Sequence, residues 1–237
     1  MHKFQSITII IPAFNEGGNI SYVIKDSLKN LPKYFRDYEI VVVDDGSNDK
    51  TGKIADQLAK KNKRLRVIHQ KNGGYSSAML TGIKIATKDY VAYLPADGQF
   101  LINDMRHCFE EVGKADLILG YRGGRQDYTT RRVIFSYGYL LLLLLLFDIK
   151  YMDVGWVNIW RSNKIQKMKL TCSQGIFILT EILVRLKKKG LKIVEAPSYY
   201  HPRLSGEVKN AKFTVVFKTF QSALKLWIEI RLQSIKH

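Results

Sequence analysis

In the stretch Tyr93-Leu94-Pro95-Ala96-Asp97-Gly98-Gln99, a carboxylate and a carboxamide stand two residues apart, and both can offer oxygen to one hard cation. An apolar run, residues 90–94, leads straight into them. A second run, Ile40-Val41-Val42-Val43, ends the same way, in Asp44-Asp45-Gly46-Ser47. Two buried-looking runs that both stop in acid fit strands whose carboxyl ends border one ligand crevice. A third run, residues 7–11, passes into Pro12-Ala13-Phe14-Asn15-Glu16. The Phe14 ring can stack on a nucleobase, Glu16 can accept hydrogen bonds from ribose hydroxyls, and Asp45 can accept from a base N–H. Taken singly, each is also an ordinary strand-to-helix turn.

The elements that must position these residues read as repeated βα units. Strands are predicted over 7–11, 40–43, 66–69, 90–94 and 116–120, with helices over 18–31, 50–60, 76–86 and 102–112. Strands alternating with helices call for an α/β fold with a mainly parallel sheet. The second half differs. Residues 133–147 carry no charge and include seven consecutive leucines, 140–146. About 20 apolar residues are needed to span a bilayer, so this helix suits a protein core, a membrane interface or another subunit. From 211 to 236, Phe213, Phe217, Phe220, Leu224 and Trp227 recur at three- and four-residue steps, with Lys218 and Lys225 elsewhere on the wheel. That pattern predicts an amphipathic basic helix.

The chain has 237 residues, enough for one sizeable domain, and 25% of them are charged, which excludes a disordered chain. Two cysteines, Cys108 and Cys172, supply no disulfide framework and are expected as free thiols. The first apolar run is too short for a signal peptide, so none is expected. The net charge is +17 and unevenly spread: residues 131–237 hold 19 Lys and Arg against 6 Asp and Glu. A basic half calls for an anionic partner, whether nucleic acid, an anionic membrane or a phosphorylated substrate. No recognised nucleic-acid module is present. The five histidines show no zinc spacing.

In this order the motifs are specific. The chain resembles the family 2 inverting glycosyltransferases of the GT-A fold, through Pro12-Ala13-Phe14-Asn15-Glu16, Val43-Asp44-Asp45-Gly46-Ser47, the stretch from Gly73-Gly74 to Gly82, and Ala96-Asp97-Gly98-Gln99. Within that family it is similar to the dolichol-phosphate mannose synthase group. The narrower likeness uses Gly120-Tyr121-Arg122, Arg132, Ser136, Asp153-Val154-Gly155-Trp156, Glu181 and Arg203-Leu204-Ser205-Gly206-Glu207-Val208-Lys209. The resemblance spans about residues 7–210. It departs at Pro95, where the family carries an aspartate, at Phe14, where tyrosine is common, and at Val208, where serine is usual.

The resemblance implies a catalytic domain over 1–210, including a possible interface helix at 131–149, followed by a basic amphipathic helix over 211–237. It implies nucleotide contacts from Pro12, Ala13, Phe14, Glu16, Val43, Asp45, Ala96 and Asp97, and Mg²⁺ or Mn²⁺ held by Asp97 and Gln99. Catalytic roles fall to Asp97, Arg122, Arg132 and Arg203, with Arg122, Arg132 and Ser136 gripping an acceptor phosphate. Asp153, Glu181 and Lys209 are candidates for sugar or loop contacts. The expected activity moves a hexose from a GDP- or UDP-sugar to a polyprenyl phosphate, at the cytoplasmic face of a membrane, by a peripheral or monotopic protein. Two alternatives stay open: a saccharide or protein hydroxyl acceptor, and a non-catalytic docking domain favoured by Pro95.

Overall fold

A computed structural model describes residues 5–122, 130–171, 175–201 and 213–235. The chain order is β1 (Ile7–Ala13), α1 (Ile20–Asn30), β2 (Tyr38–Asp44), α2 (Thr51–Ala59), β3 (Leu65–His69), α3 (Tyr75–Ile85), β4 (Tyr90–Tyr93), α4 (Arg106–Glu110), β5 (Leu117–Arg122), α5 (Thr130–Phe147), β6 (Val157–Arg161), α6 (Ser162–Ile165), α7 (Phe177–Lys188), β7 (Ile193–Ser198) and α8 (Phe213–Ile235). The five predicted strands all form. The predicted helix over 102–112 divides into a 3₁₀ turn, Ile102–Met105, and α4. The Asp104 carboxylate turns back to accept from the Leu101 N–H at 2.8 Å, which caps the start of the 3₁₀ turn.

The strands form one sheet in the order β3-β2-β1-β4-β6-β5-β7. Every pairing is parallel except those of β6, which runs antiparallel to both β4 and β5. All seven residues of β2 are buried, as expected of a strand covered on both faces. The carboxyl ends of β1, β2, β4, β5 and β7 therefore share one edge of the sheet. The helix α3 crosses close over β1, where a Cβ on Gly82 would lie 2.4 Å from Ile10 Cγ2.

The apolar helix α5 packs against α8, and Tyr139 of α5 meets Thr180 of α7 at 2.5 Å between hydroxyls. Leu143 is buried, but Ile134, Tyr137, Leu141 and Leu145 face outward, with Leu145 73% exposed. In α8 the buried face is Ser222, Ala223 and Leu226. Phe217 (52% exposed), Phe220, Ile228 and Leu232 point out. The side chain of Phe213 lies outside the described residues. Nine of the fourteen exposed large hydrophobic side chains among the described residues lie on these two helices. Cys108 is a buried free thiol, and burial pushes its pKa up to about 12; Cys172 lies outside the described residues.

Gly82→Ala should lower stability by about 1–3 kcal/mol, the cost of overpacking a rigid contact, read as a shift in the urea midpoint at unchanged slope. An unshifted midpoint would show that α3 and β1 separate freely.

Candidate active site

Three adjacent strands, β2, β1 and β4, are each followed within five residues by one with left-handed backbone: Gly46 (φ 72°), Asn15 (φ 54°) and Gly98 (φ 73°). Such residues turn the chain sharply at the strand end and leave the following polar groups on the crevice edge. The β1 and β2 ends are laced together. The Asn15 N–H donates to Ser47 Oγ at 3.0 Å, and the Asn48 N–H donates to Asn15 Oδ1 at 2.9 Å. The Glu16 N–H donates to Thr51 Oγ1 at 2.8 Å, and the Gly17 N–H to Asp49 Oδ2 at 2.9 Å. Pro12 and Ala13 close β1, Phe14 opens the fixed loop beyond it, and the Glu16 carboxylate accepts from Asn19 Nδ2 at 2.8 Å.

Asp45, just beyond β2, is 3% exposed and accepts three hydrogen bonds from the loop between β3 and α3. They come from Gln70 Nε2 at 2.6 Å, the Gly73 N–H at 2.9 Å and the Gly74 N–H at 2.8 Å. An ionised carboxylate has about four lone-pair sites, so this one shapes the pocket wall and retains capacity for one more donor. Val43 lies under it, paired with Pro12. Beside it, Asp44 Oδ2 lies 2.9 Å from His69 Nδ1, and His69 Nε2 lies 3.1 Å from Asp56 Oδ1. These contacts, Asp44 first and Asp56 second, hold the His69 pKa above its ordinary 6.5.

One strand further along, Ala96 is buried and Asp97 Oδ1 accepts from the Gln99 N–H at 3.0 Å. The Gln99 amide donates to the Tyr200 hydroxyl at 3.3 Å, and its backbone carbonyl accepts from the His201 N–H at 2.9 Å. That bond aims the Gln99 amide nitrogen at Tyr200 and turns its oxygen elsewhere. One carboxylate and one carboxamide oxygen are hard donors that suit Mg²⁺ or Mn²⁺, with the remaining positions left for diphosphate and water. No cluster of three or more His, Cys, Asp or Glu that could hold a metal occurs among the described residues. Asp97 and Gln99 by themselves leave most positions around such a cation to other donors.

At the end of β5, Arg122 Nε donates to Asp153 Oδ2 at 2.7 Å, and its guanidinium lies 4.5 Å from the Trp156 ring centre. Both partners of this ion pair are nearly buried. Trp156 belongs to a chain of aromatic contacts, Tyr75 to Tyr93 to Phe100 to Trp156 edge-on and Trp156 to Tyr200 tilted, with ring centres 4.5–6.3 Å apart. Burial raises the Tyr93 and Tyr75 phenols well above the ordinary range, so both stay protonated. The Trp156 indole N–H is buried with no acceptor among the described residues.

The structure thus brings Asp45, Asp97, Gln99, Arg122 and Asp153 to one edge of the sheet. Ser136 lies on α5, partly buried. Arg132 is in the first turns of α5, but its side chain lies outside the described residues, as do Arg203 and Lys209 entirely. Glu181 sits elsewhere in its contacts: fully buried in α7, it accepts from the Thr171 N–H at 2.8 Å and from Arg185 at 2.7 Å, and Arg185 also reaches Glu229 of α8 at 3.0 Å. Sequence reasoning missed the roles of Tyr93, Tyr200 and Trp156; only the position of Trp156 within the Asp153-Val154-Gly155-Trp156 motif pointed to any of them.

The chain matches the model of the family described as Glycosyl transferase family 2 over residues 8–166. It is 31% identical over 217 residues to a dolichol-phosphate mannosyltransferase of Pyrococcus furiosus, covering 86% of this chain and 59% of that protein. It is 45% identical over 91 residues to the glycosyltransferase EpsJ of Bacillus subtilis, covering 38% of this chain and 26% of that one. The chain thus spans from about a quarter to three-fifths of the length of these curated relatives. A glucosyl-3-phosphoglycerate synthase of Mycobacterium tuberculosis, crystallised with Mn²⁺, uridine diphosphate and phosphoglyceric acid, superposes with a TM-score of 0.69 over 94% of this chain and 78% of that one. At 16% identity that likeness concerns the fold alone, and the seven-stranded, mostly parallel sheet is the GT-A fold.

Asp56→Asn should lower the His69 midpoint in an NMR titration, because one of its two carboxylate partners is lost. Since the folded pKa is raised, the stability His69 adds is fully present below about pH 6.5 and fades as pH climbs through the folded value. An unchanged midpoint in the variant would remove Asp56 from the network.

Proposed function

Because the chain belongs to glycosyl transferase family 2, we propose that it moves a hexose from a nucleotide diphosphate sugar to a polyprenyl phosphate at the cytoplasmic surface of a membrane. One observation carries the lipid part of this reading. The outward face of α5 is apolar, α8 exposes Phe217, Phe220, Ile228 and Leu232 among Lys218, Lys225 and Arg231, and α5 begins eight residues after Arg122 at the crevice edge. An acceptor with a charged head and an isoprenoid tail needs a cation followed by a greasy surface, in that order. The dolichol-phosphate mannosyltransferase relative, aligned over most of this chain, supports the same acceptor class. Burying the exposed part of nine large side chains at roughly 1 kcal/mol each exceeds the marginal anchoring of a single acyl chain. The basic second half adds attraction to anionic headgroups.

In the proposed reaction an oxygen of the lipid phosphate attacks the anomeric carbon from the face opposite the diphosphate. The bond to the diphosphate breaks, and its electron pair leaves with the nucleotide. A phosphate monoester is ionised near pH 7, so the nucleophile needs placement more than a base. Arg122 is suited to that placement, since Asp153 and Trp156 fix the guanidinium before any ligand arrives. Asp45 and the Phe14 loop would seat the base and ribose. Asp97 and Gln99 would hold the Mg²⁺ or Mn²⁺, which when bound supplies positive charge opposite the departing diphosphate. Arg132 and Ser136, four residues apart on α5, would share a grip on the acceptor phosphate. Arg203 would clamp phosphate, and Lys209 would contact the acceptor. In this scheme Glu181 serves α7 and α8 packing through Arg185.

Mixing the protein with Mg²⁺, a panel of UDP- and GDP-sugars and a polyprenyl phosphate should release nucleotide diphosphate only when lipid is present. Lipid-independent release with every donor would sink the acceptor assignment. Asp97→Ala should lower kcat/KM by about 10²-fold or more. It should also abolish the Mn²⁺-dependent rise in melting temperature that UDP or GDP produces in the parent protein; retention of both would exclude Asp97 as a metal ligand. Phe217→Ser with Phe220→Ser should weaken binding to anionic vesicles by roughly 30-fold, from two side chains at about 1 kcal/mol each, with the circular dichroism spectrum unchanged. Equal flotation of parent and variant would free α8 from the membrane role.

A further inference from the structure

A second basic concavity lies away from the crevice. A groove of about 740 Å³ opens between the segment after α6, the end of α7 and the last turns of α8. That volume is in the range of small-molecule sites. Lys167, Lys169, Arg185, Lys188 and Lys189 line it, and among the described residues no carboxylate does. Glu181 and Glu229 reach Arg185 at 2.7 and 3.0 Å. Lys188 Nζ donates to the Ile230 carbonyl at 3.2 Å and closes one wall. The dipole of α7 accounts for lysines at its carboxyl end. It does not account for Lys167 and Lys169, which arrive from a different segment and converge on the same space.

The groove is at the opposite end of the sheet from the crevice. Arg161, the last residue of β6, pairs with Tyr90, the first of β4, so the chain leaves toward Lys167 from the amino ends of the parallel strands. β7 runs parallel to β5 and starts at Ile193, just after the last turn of α7, which places Lys188 and Lys189 at that end too. Ile230 and Gln233, the α8 residues of the groove, lie about 200° and 140° around the helix from Ile228. The groove therefore opens away from the outward apolar stripe, and a membrane covering the stripe leaves it in water.

We propose that this groove binds the phosphate groups of a soluble polyphosphorylated ligand, separately from the donor. Converging like charges repel one another until an anion joins them, and several phosphates on one molecule answer several lysines at once.

Tripolyphosphate is the probe, used with the full chain and EDTA so that no metal recruits it to Asp97. Lysine acetylation read by mass spectrometry should show Lys167, Lys169 and Lys189 protected several-fold, with Lys25 on α1 and Lys53 on α2 unchanged. Lys167→Gln with Lys169→Gln should weaken tripolyphosphate binding about tenfold or more in titration calorimetry, while Asp97→Ala binds as the parent does. Uniform protection of all lysines, or equal affinity in the double variant, would overturn the site in favour of the general charge of the chain. Protection by phosphatidylserine vesicles but not by tripolyphosphate would overturn the soluble ligand in favour of a lipid headgroup.

Discussion

Parallel pairing is the constraint on which the rest rests. A parallel sheet sends the carboxyl ends of its strands to one edge, and each strand stops there with backbone N–H and C=O groups that have no next partner. Side chains must satisfy them. Around β1 and β2 that duty falls on Asn15, Ser47, Asp49 and Thr51, and around β3 and α3 it falls on Asp45. The residues that make the edge stable are therefore the same polar types that can recognise a nucleotide. Removing the Asp45 carboxylate would leave the N–H groups of Gly73 and Gly74 without their acceptor. Under the proposed function it would also remove a base contact, which would couple stability and recognition at that one residue.

Two buried ion pairs divide the second half of the chain between them. Arg122 with Asp153 stands at the crevice, and Glu181 with Arg185 and Glu229 joins α7 to α8. A buried pair contributes little net stability compared with an apolar substitute, yet losing one partner costs about 3–5 kcal/mol because a charge is stranded. Such pairs specify geometry. The first fixes where a guanidinium sits relative to Trp156. The second fixes how α8 lies, and so which of its faces is turned outward.

The first half of the fold was legible because its strands are continuous apolar runs with turn residues at both ends. All five strands and the helices between them fall within one to three residues of expectation, apart from the predicted helix over 102–112, which divides after Met105. β6 and β7 were not legible. β6 holds the fully buried polar residue Asn158, which accepts no simple apolar pattern, and β7 contains Glu195 and Pro197, tolerated because it lies at the sheet edge. Among site residues, Asp97, Gln99 and Asp45 stood out by type and by position after a strand, whereas Arg122 was singled out only through the family resemblance. The pairing of Arg122 with Asp153 spans 31 residues, and the aromatic chain joins positions 75, 93, 100, 156 and 200, so only folding brings them together. The turn of the α8 aromatics toward the outside was hidden for a related reason: periodicity defines a stripe, and tertiary packing decides which way it faces.

β6 lies between β4 and β5 in the sheet although it follows both in the chain. Until residue 161 has left the ribosome, β4 has an open edge of unpaired N–H and C=O groups, and β5 has no strand to join it to the rest. The four strands β3-β2-β1-β4 can assemble early, but they end in a sticky border for as long as synthesis of the leucine-rich α5 takes. The nascent protein thus presents an exposed strand and an apolar helix at the same time, the combination most prone to misassembly. A late strand that seals the sheet in the middle makes completion of the fold an event of translation timing, and gives a chaperone or a nearby bilayer its moment to act.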